Sequence, residues 1–194
     1  MGDRPPLIVA PFDAELFGHW WFEGPEFLDS VVRLVAGEES GFSLTTLGGF
    51  LREFPAQQAV MPAQSSWGEG GHLGVWLDET NAWMLGPLRI ATRDMIALAG
   101  AWQARSVDAL TQRALTQAGR ELQLAQSSDW PFLLKMATAG DYPARRFRGH
   151  LDNFNRLKAG LESGPTPDLE ILVADLEFRH PLFPRLDWRC WIPG

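Results

Sequence analysis

One short stretch near the N-terminus constrains the fold more than any other part of the sequence. Residues 7–10 form an unbroken apolar run, Leu-Ile-Val-Ala, with β-branched side chains at its centre. Continuous apolarity over so few residues is typical of a strand that is buried on both faces, as in a parallel sheet or barrel. The rest of the chain predicts no second βα unit, so this strand would belong to a sheet of which the chain supplies only one unit.

Helical periodicity dominates the sequence that follows this run. Residues 25–35 predict a helix that begins at Pro25, a favourable first-turn position, and that carries its apolar side chains on one stripe. A short helix is predicted over 46–54, followed by a long glycine-interrupted loop over 55–74. Further helices are predicted over 81–103, 107–126, 129–137, 143–163 and 168–177. The sequence therefore predicts a mainly α fold, with one βα unit before a helical bundle.

Composition argues against several classes of partner. Hydrophobic residues make up 45% and charged residues 21% of the 194-residue chain, which is enough for a packed core. The formal net charge of −7 argues against nucleic acid and anionic membranes as partners, because proteins bind both through clustered Lys and Arg. No apolar run reaches the roughly 20 residues that span a bilayer, and the first residues lack a signal-peptide pattern. The single cysteine, Cys190, is typical of a reducing compartment, so we expect a cytoplasmic protein.

Two carboxylates follow the predicted strand directly. Asp13 and Glu15 stand where the strand ends, and catalytic groups gather at the carboxyl ends of strands in barrels and parallel sheets. Asp13 is therefore a candidate for acid/base chemistry. The alternative is an ordinary solvated acid in a loop.

Tryptophan is the unusual entry in the composition, with nine residues against one tyrosine. An indole ring can stack on a sugar while its N–H donates a hydrogen bond. His19, Trp20 and Trp21 follow the two acids, and Trp67 and Trp76 lie in or beside the glycine-rich loop, so these residues could form sugar subsites. The alternative is that the histidine is structural and the rings belong to the core. We expect core positions for three other tryptophans: Trp102, Trp188 and Trp191.

Residues 127–130, Ser-Ser-Asp-Trp, have a sufficient structural explanation as the start of a helix. A serine can cap the helix, and Asp129 favours the positive end of its dipole. Four histidines and one cysteine show no metal-ligand spacing, and the sequence has no phosphate-binding glycine loop or nucleophile elbow. We therefore expect neither a metal nor a cofactor.

Three motifs, in order along the chain, resemble family 57 of the glycoside hydrolases, and most closely its 1,4-α-glucan branching enzymes. Residues 10–25, APFDAELFGHWWFEGP, resemble the fourth signature region of the family. Residues 65–71, together with Trp76, resemble the glycine-rich stretch of the branching enzymes, and residues 127–130 resemble the fifth region. The resemblance implies a (β/α)7 barrel followed by an α-helical domain. Residues 1–74 would then be the end of the catalytic barrel, and residues 75–194 the helical domain.

The resemblance also assigns roles to residues. It implies that Asp13 is the general acid/base of a retaining glycosyl transfer that makes α-1,6 branches. It implies that seven residues contact an α-1,4-glucan such as amylose or glycogen: His19, Trp20, Trp21, Trp67, Trp76, Asp129 and Trp130.

A retaining mechanism needs a second carboxylate as nucleophile, about 5–5.5 Å from the first. In the family this is a glutamate on an earlier barrel strand, and Glu15 cannot replace it because it lies too near Asp13 to reach the opposite face of the sugar. We therefore expect the isolated chain to be inactive, and its partner to be the missing N-terminal part of the barrel, in cis or in trans.

Two alternatives remain open at this stage. The chain could derive from an α-amylase or 4-α-glucanotransferase of the same family, because the loops that choose the acceptor are absent. It could also be a non-catalytic glucan-binding module that keeps the aromatic surface without the chemistry. Whether the chain is a fragment, a split subunit or a truncated product stays open as well.

Overall fold

The computed structural model describes residues 5–37 and 41–193. Throughout these two ranges the chain forms helices and loops, and no β-strand. It divides into two compact units, Met1–Pro62 and Ala63–Gly194, called here the N-terminal and C-terminal units. The predicted assignment of residues 1–74 to a barrel and of 75–194 to a helical domain stays a prediction.

The N-terminal unit contains a π-helical turn, Leu16–Trp20, and two helices, α1 (Gly24–Ala36) and α2 (Leu47–Glu53). Helix α1 begins with proline in its first turn, as predicted, and α2 begins where the Thr46 hydroxyl accepts a hydrogen bond from the Gly49 N–H at 3.0 Å. Both predicted helices are confirmed.

Residues 7–10, predicted as a buried strand, have no regular secondary structure and are exposed. Ile8 is 91% exposed and Val9 55%. The strand prediction is therefore corrected for this chain, for a physical reason: a strand needs neighbours to pair its backbone groups, and the described residues offer none.

The C-terminal unit is a bundle of five helices within the described residues. They are α3 (Leu85–Gln103), α4 (Ala109–Ala125), α5 (Asp129–Met136), α6 (Tyr142–Ser163) and α7 (Pro167–Arg179). All five correspond to predicted helices. The main difference lies before α3, where Ala82–Met84 forms a separate 3-10 turn instead of the first turn of the helix. No helix in the described ranges has both the length and the apolarity to cross a bilayer.

Helices α4 and α6 pack most extensively and form the centre of the bundle. The apolar side chains on one face of α6 are buried, among them Phe147, Phe154 and Leu157, as are Ala114, Leu115, Ala118 and Leu122 of α4. Trp188 is 1% exposed and donates its indole N–H to Gln112 Oε1 at 2.9 Å. Trp102 and Trp191 pack half-buried against the same core. The core positions predicted for these three tryptophans are confirmed.

Candidate functional site

Asp13 lies on an exposed peptide that leads into the π-helical turn. Its backbone carbonyl accepts a hydrogen bond from the Leu16 N–H at 3.2 Å, and the Trp21 N–H closes the turn on the Leu16 carbonyl at 2.8 Å. These backbone bonds fix where the peptide bends. The side chain of Asp13 is exposed, so it can meet a ligand from solution.

A row of four aromatic rings supports this peptide from within the N-terminal unit. Phe12 contacts Phe17 edge-on at 5.5 Å between ring centroids, and Phe17 lies 5.7 Å from Trp21. Trp21 in turn lies 4.8 Å from Phe27 of α1. Because Phe12 directly precedes Asp13, the row anchors the acid to helix α1.

Trp20 and Trp21, predicted together as sugar contacts, lie in different environments. Trp20 is 76% exposed, whereas Trp21 is half-buried in the aromatic row. Of the two, Trp20 presents the larger open surface. His19 lies on the π-helical turn by its backbone, and its side chain is outside the described residues.

In the C-terminal unit, residues 66–72 form a tight loop, called here the Trp67 loop. The Ser66 N–H donates to the Gly71 carbonyl at 2.8 Å, and the Gly68 N–H donates to the Ser66 hydroxyl at 3.0 Å. A Cβ on Gly68 would lie 2.8 Å from the His72 carbonyl oxygen, so only glycine fits there. The loop presents Trp67 to solvent with 82% of its surface exposed.

Residues 75–81, called here the Trp76 turn, hold the second predicted tryptophan against helix α5. The Trp76 ring is half-buried and lies 5.9 Å from the Phe132 ring. Buried Asn81 donates to the Val75 carbonyl at 2.9 Å and to the Pro131 carbonyl at 3.3 Å, while its Oδ1 accepts from the Asp78 N–H at 2.8 Å.

An ion pair adds a second tie between the Trp76 turn and α5. Asp78 pairs with Lys135 of α5 and accepts two hydrogen bonds from Thr80, at 2.8 Å from its N–H and 2.6 Å from its hydroxyl. The hydrogen bond from Lys135 has the largest effect and those from Thr80 add to it, so that the pKa of Asp78 is lowered to about 2. Asp78 therefore stays ionised at physiological pH, and Trp76 is held beside the Ser-Ser-Asp-Trp motif.

Asp129 and Trp130 open helix α5 and face different surroundings. Asp129 is exposed, and its carboxylate accepts a hydrogen bond from the Ser127 hydroxyl. Trp130 is 9% exposed, donates its N–H to the Leu124 carbonyl at 2.7 Å and stacks on the His150 ring at 6.2 Å. The acid is thus available at the surface, whereas the indole packs beneath it; a glucan contact by Trp130 stays a prediction.

A buried polar cluster that the sequence did not indicate lies behind Trp130. The carboxylate of Glu121, on α4, accepts four hydrogen bonds, two on each oxygen. On Oε1 the donors are His180 Nδ1 at 2.6 Å and Gln117 Nε2 at 3.0 Å, and on Oε2 they are His150 Nδ1 at 2.8 Å and Asn153 Nδ2 at 3.2 Å. We call these five residues the Glu121 network.

The chemistry of Arg146 fixes the tautomer of His150. A guanidinium only donates, so His150 Nε2 accepts from the Arg146 Nη2 at 3.1 Å, and His150 Nδ1–H donates to Glu121. Burial by itself would raise the pKa of the Glu121 carboxyl, but the hydrogen bonds from His150 and His180 outweigh it and lower the pKa.

The Glu121 network also forms a possible metal-ligand set, because Glu121, His150 and His180 place ligand atoms within 4.8 Å of one another. All four acceptor positions of the carboxylate are already occupied by hydrogen bonds, and both Nδ1 atoms serve as donors to it. A metal ion would have to displace these bonds, so the arrangement fits a structural network that joins α4, α6 and the end of α7.

Comparison with known proteins decides the family. The family profile described as "1,4-alpha-glucan branching enzyme, C-terminal" matches residues 88–191, more than half of the chain. The chain belongs to this family. The expected resemblance to the branching enzymes of family 57 is thereby confirmed, and the helical bundle is the C-terminal domain that the profile describes.

Individual relatives agree with this assignment. The 1,4-α-glucan branching enzyme of Thermococcus kodakarensis is 36% identical over 152 residues, which cover 78% of this chain and 22% of that enzyme. The crystal structure of a GH57-type branching enzyme from Pyrococcus horikoshii superposes with a TM-score of 0.76 and 34% identity, covering 96% of this chain and 35% of that one. The α-amylase AmyC of Thermotoga maritima gives a TM-score of 0.69 and 36% identity over 96% of this chain and 33% of its own.

The chain is much shorter than the relatives it matches. This branching-enzyme C-terminal domain and its preceding segment span 22% to 35% of the lengths of these relatives. Within the described residues the chain forms the helical domain and no β-barrel.

Proposed function

We propose that this chain is the C-terminal portion of a 1,4-α-glucan branching enzyme and supplies Asp13 as the general acid/base. The observation that carries the proposal is the setting of Asp13. It is an exposed carboxylate on a peptide fixed by the aromatic row, at the position where the family motif has its acid/base. Relatives that cover most of this chain are named as branching enzymes.

The reaction proceeds by double displacement, with the nucleophilic glutamate supplied from outside the described residues. That glutamate attacks the anomeric carbon of an α-1,4 bond while Asp13 protonates the leaving glycosidic oxygen. Asp13, now a carboxylate, takes the proton of an acceptor 6-hydroxyl, and that oxygen attacks the glycosyl-enzyme to form an α-1,6 branch. The configuration at the anomeric carbon is retained because it inverts twice.

In this proposal each unit has its own indole contacts for glucan, Trp20 in the N-terminal unit and Trp67 and Trp76 in the C-terminal unit. Trp20 and Trp67 are exposed, and Trp76 is fixed against α5 by the Asn81 and Asp78 contacts. Rings held in place lose little conformational entropy when a sugar stacks on them. The substrates in this proposal are α-1,4-glucans such as amylose and glycogen, and we propose glycogen biosynthesis as the process and the cytoplasm as the compartment.

The partner in this proposal is the N-terminal barrel portion, in cis or in trans. Its support comes from the apolar surface of the N-terminal unit. Ile8 is almost wholly exposed, and Phe12, Phe22 and Leu34 are also exposed in the described chain. A surface this apolar marks an interaction site, and strands of a barrel would pair residues 7–10 and cover it.

The test replaces Asp13 by Asn in the complete polypeptide of the source organism. Incubation with amylose is followed by ¹H NMR of the α-1,6 anomeric signal. We expect kcat to fall by about 10²–10⁴-fold, since a positioned acid/base contributes that much. Asp29→Asn, which removes an exposed carboxylate paired with Arg33 on α1, is the control and should retain activity. Unchanged branching by Asp13→Asn would refute the proposed role.

The same assay separates the alternative functions. The structural similarity to the Thermotoga maritima α-amylase favours hydrolysis as the second candidate, and reducing ends without new branches would support it. Glucan binding without any turnover by the complete polypeptide would support a non-catalytic module.

A further inference from the structure

Trp130 has different surroundings from the exposed indoles. Only 9% of its surface is exposed, whereas Trp67 is 82% exposed. The indole N–H of Trp130 is already used, because it donates to the Leu124 carbonyl at 2.7 Å. The ring stacks on His150 at 6.2 Å between centroids and meets Tyr142 edge-on at 6.1 Å. An indole enclosed in this way offers a sugar little open surface and no unused donor.

The imidazole on which Trp130 stacks is held at both of its nitrogens. His150 Nδ1–H donates to the Glu121 carboxylate at 2.8 Å, and His150 Nε2 accepts from Arg146 Nη2 at 3.1 Å. His150 is 1% exposed and Glu121 is 0% exposed, so water competes little for these bonds. Buried networks whose members are hydrogen-bonded are rigid. The Glu121 network therefore fixes the plane against which the indole of Trp130 lies.

Helix α5 connects this indole to the Trp76 turn. Trp130 stands in the first turn of α5. The next residue, Pro131, accepts a hydrogen bond from Asn81 Nδ2 at 3.3 Å, and the Phe132 ring lies 5.9 Å from the Trp76 ring. The first turn of α5 thus has two attachments: Trp130 ties it to α4 and α6, while Pro131 and Phe132 tie it to the Trp76 turn. A displacement of the first attachment is passed to the second.

We propose that Trp130 is a positioning residue, which sets the place of Trp76 through helix α5 and does not itself contact the glucan. This role replaces the glucan contact that the family resemblance implies for Trp130. That Trp76 contacts glucan rests on the proposed function, whereas the hold of Trp130 on α5 rests on packing alone. Such a hold matters for transfer, because a misplacement of about 1 Å can lower a rate by about 10²-fold.

NMR of the full 194-residue chain tests the hold of Trp130 without any ligand. The reporters are the Trp76 indole N–H and the Asn81 side-chain amide, assigned through Trp76→Phe and Asn81→Asp. Trp130→Phe retains an aromatic ring for His150 but removes the donor to the Leu124 carbonyl. We expect both reporter signals to shift in Trp130→Phe and to shift further in Trp130→Leu, at temperatures where each variant is folded.

Trp188→Phe is the matched control. Trp188 is also buried and donates its indole N–H to one acceptor, Gln112 Oε1 at 2.9 Å, but it belongs to a turn that packs on α3 and α4. The two variants should lose similar stability, since each removes one hydrogen bond, but Trp188→Phe should leave the Trp76 and Asn81 signals in place. Equal shifts in Trp130→Phe and Trp188→Phe would refute the positioning role.

Chemical oxidation of the full chain separates positioning from direct contact. N-bromosuccinimide oxidises accessible indoles, so Trp67 should react well before Trp130, as read by mass spectrometry of the peptides. Rapid oxidation of Trp130 that maltoheptaose prevents would show that the ring meets the glucan, and would overturn the positioning role.

In the complete polypeptide, Trp130→Phe should change the ratio of hydrolysis to transfer in the same direction as Trp76→Ala. Because Trp130 acts through Trp76, adding Trp130→Phe to Trp76→Ala should change that ratio by less than about twofold, whereas independent effects would multiply. Effects that multiply would contradict the action of Trp130 through Trp76. Shifted reporter signals in the full chain, together with a complete polypeptide that forms no branches, would uphold the hold of Trp130 on α5 and refute the proposed function instead.

Discussion

Replacing Glu121 by Ala removes the acceptor of the whole Glu121 network. Four buried donors lose this acceptor at once, from Gln117, His150, Asn153 and His180. Of these, Gln117 Nε2 keeps a second hydrogen bond, to the Leu176 carbonyl at 3.3 Å. A buried donor left unsatisfied costs about 1–3 kcal/mol. The total destabilisation is smaller than the sum of these costs, because the variant no longer has to desolvate a carboxylate that is 0% exposed in the folded protein.

The expected loss is about 3–5 kcal/mol of unfolding free energy, as for other buried charged groups whose partner is removed. For a domain of this size that corresponds to a fall in Tm of about 6–20 °C. Urea unfolding of the full chain, followed by circular dichroism and tryptophan fluorescence, measures it. Glu121→Gln keeps one oxygen acceptor and should lose less than Glu121→Ala.

The matched control is Glu177→Ala, which removes a half-exposed carboxylate from Arg113, 2.6 Å away. Partly exposed pairs contribute about 0–1 kcal/mol, so this variant should stay near the parent. If Glu121→Ala costs no more than Glu177→Ala, the reasoning about the Glu121 network is wrong.

Three further predictions concern the Trp76 turn. Trp76→Ala in the complete polypeptide should raise the ratio of hydrolysis to transfer, because water can occupy the space of the ring. The ratio is measured as new reducing ends against new branches, and a ratio equal to that of the parent would contradict the prediction. Asn81→Ala should lower the free energy of unfolding by about 2–3 kcal/mol in urea, since it removes the side-chain donor from the Val75 and Pro131 carbonyls and the acceptor from the Asp78 N–H. Asn153→Ala, which removes one buried donor from Glu121, is the comparison. Folding lowers the pKa of Asp78 to about 2 from 3.8, so its contribution to stability is present above 3.8 and is lost as pH falls through about 2. A carboxyl ¹³C titration should find this low pKa and Lys135→Met should raise it; an ordinary value in the parent would refute the ion pair.

The helices could be predicted from the sequence because their signals are local. Periodic apolar residues, Pro25 in the first turn of α1 and Thr46 before α2 each act within a few residues. The predicted strand at residues 7–10 failed for the opposite reason. Its apolar pattern is real, but a strand depends on neighbouring strands, and the described residues form none.

The candidate site was predictable in its residues and not in their environments. Trp67 and Trp130 both follow serines in the sequence, yet one is exposed and the other is packed against His150. The Glu121 network escaped prediction because His150 lies 29 residues from Glu121 and His180 lies 59 residues away. Only the packing of three elements brings these groups together.

The central claim is that Asp13 acts with a nucleophile supplied by the N-terminal barrel of a branching enzyme. The most direct test isolates the native species from source cells with an antibody against the C-terminal unit. Intact mass spectrometry and the branching assay are then applied to the same eluate. The account predicts α-1,6 branch formation by a species that contains this chain and the barrel, as one polypeptide or as two. Branch formation by a 21.7 kDa species alone would contradict it, because the second carboxylate would then have to lie within these 194 residues.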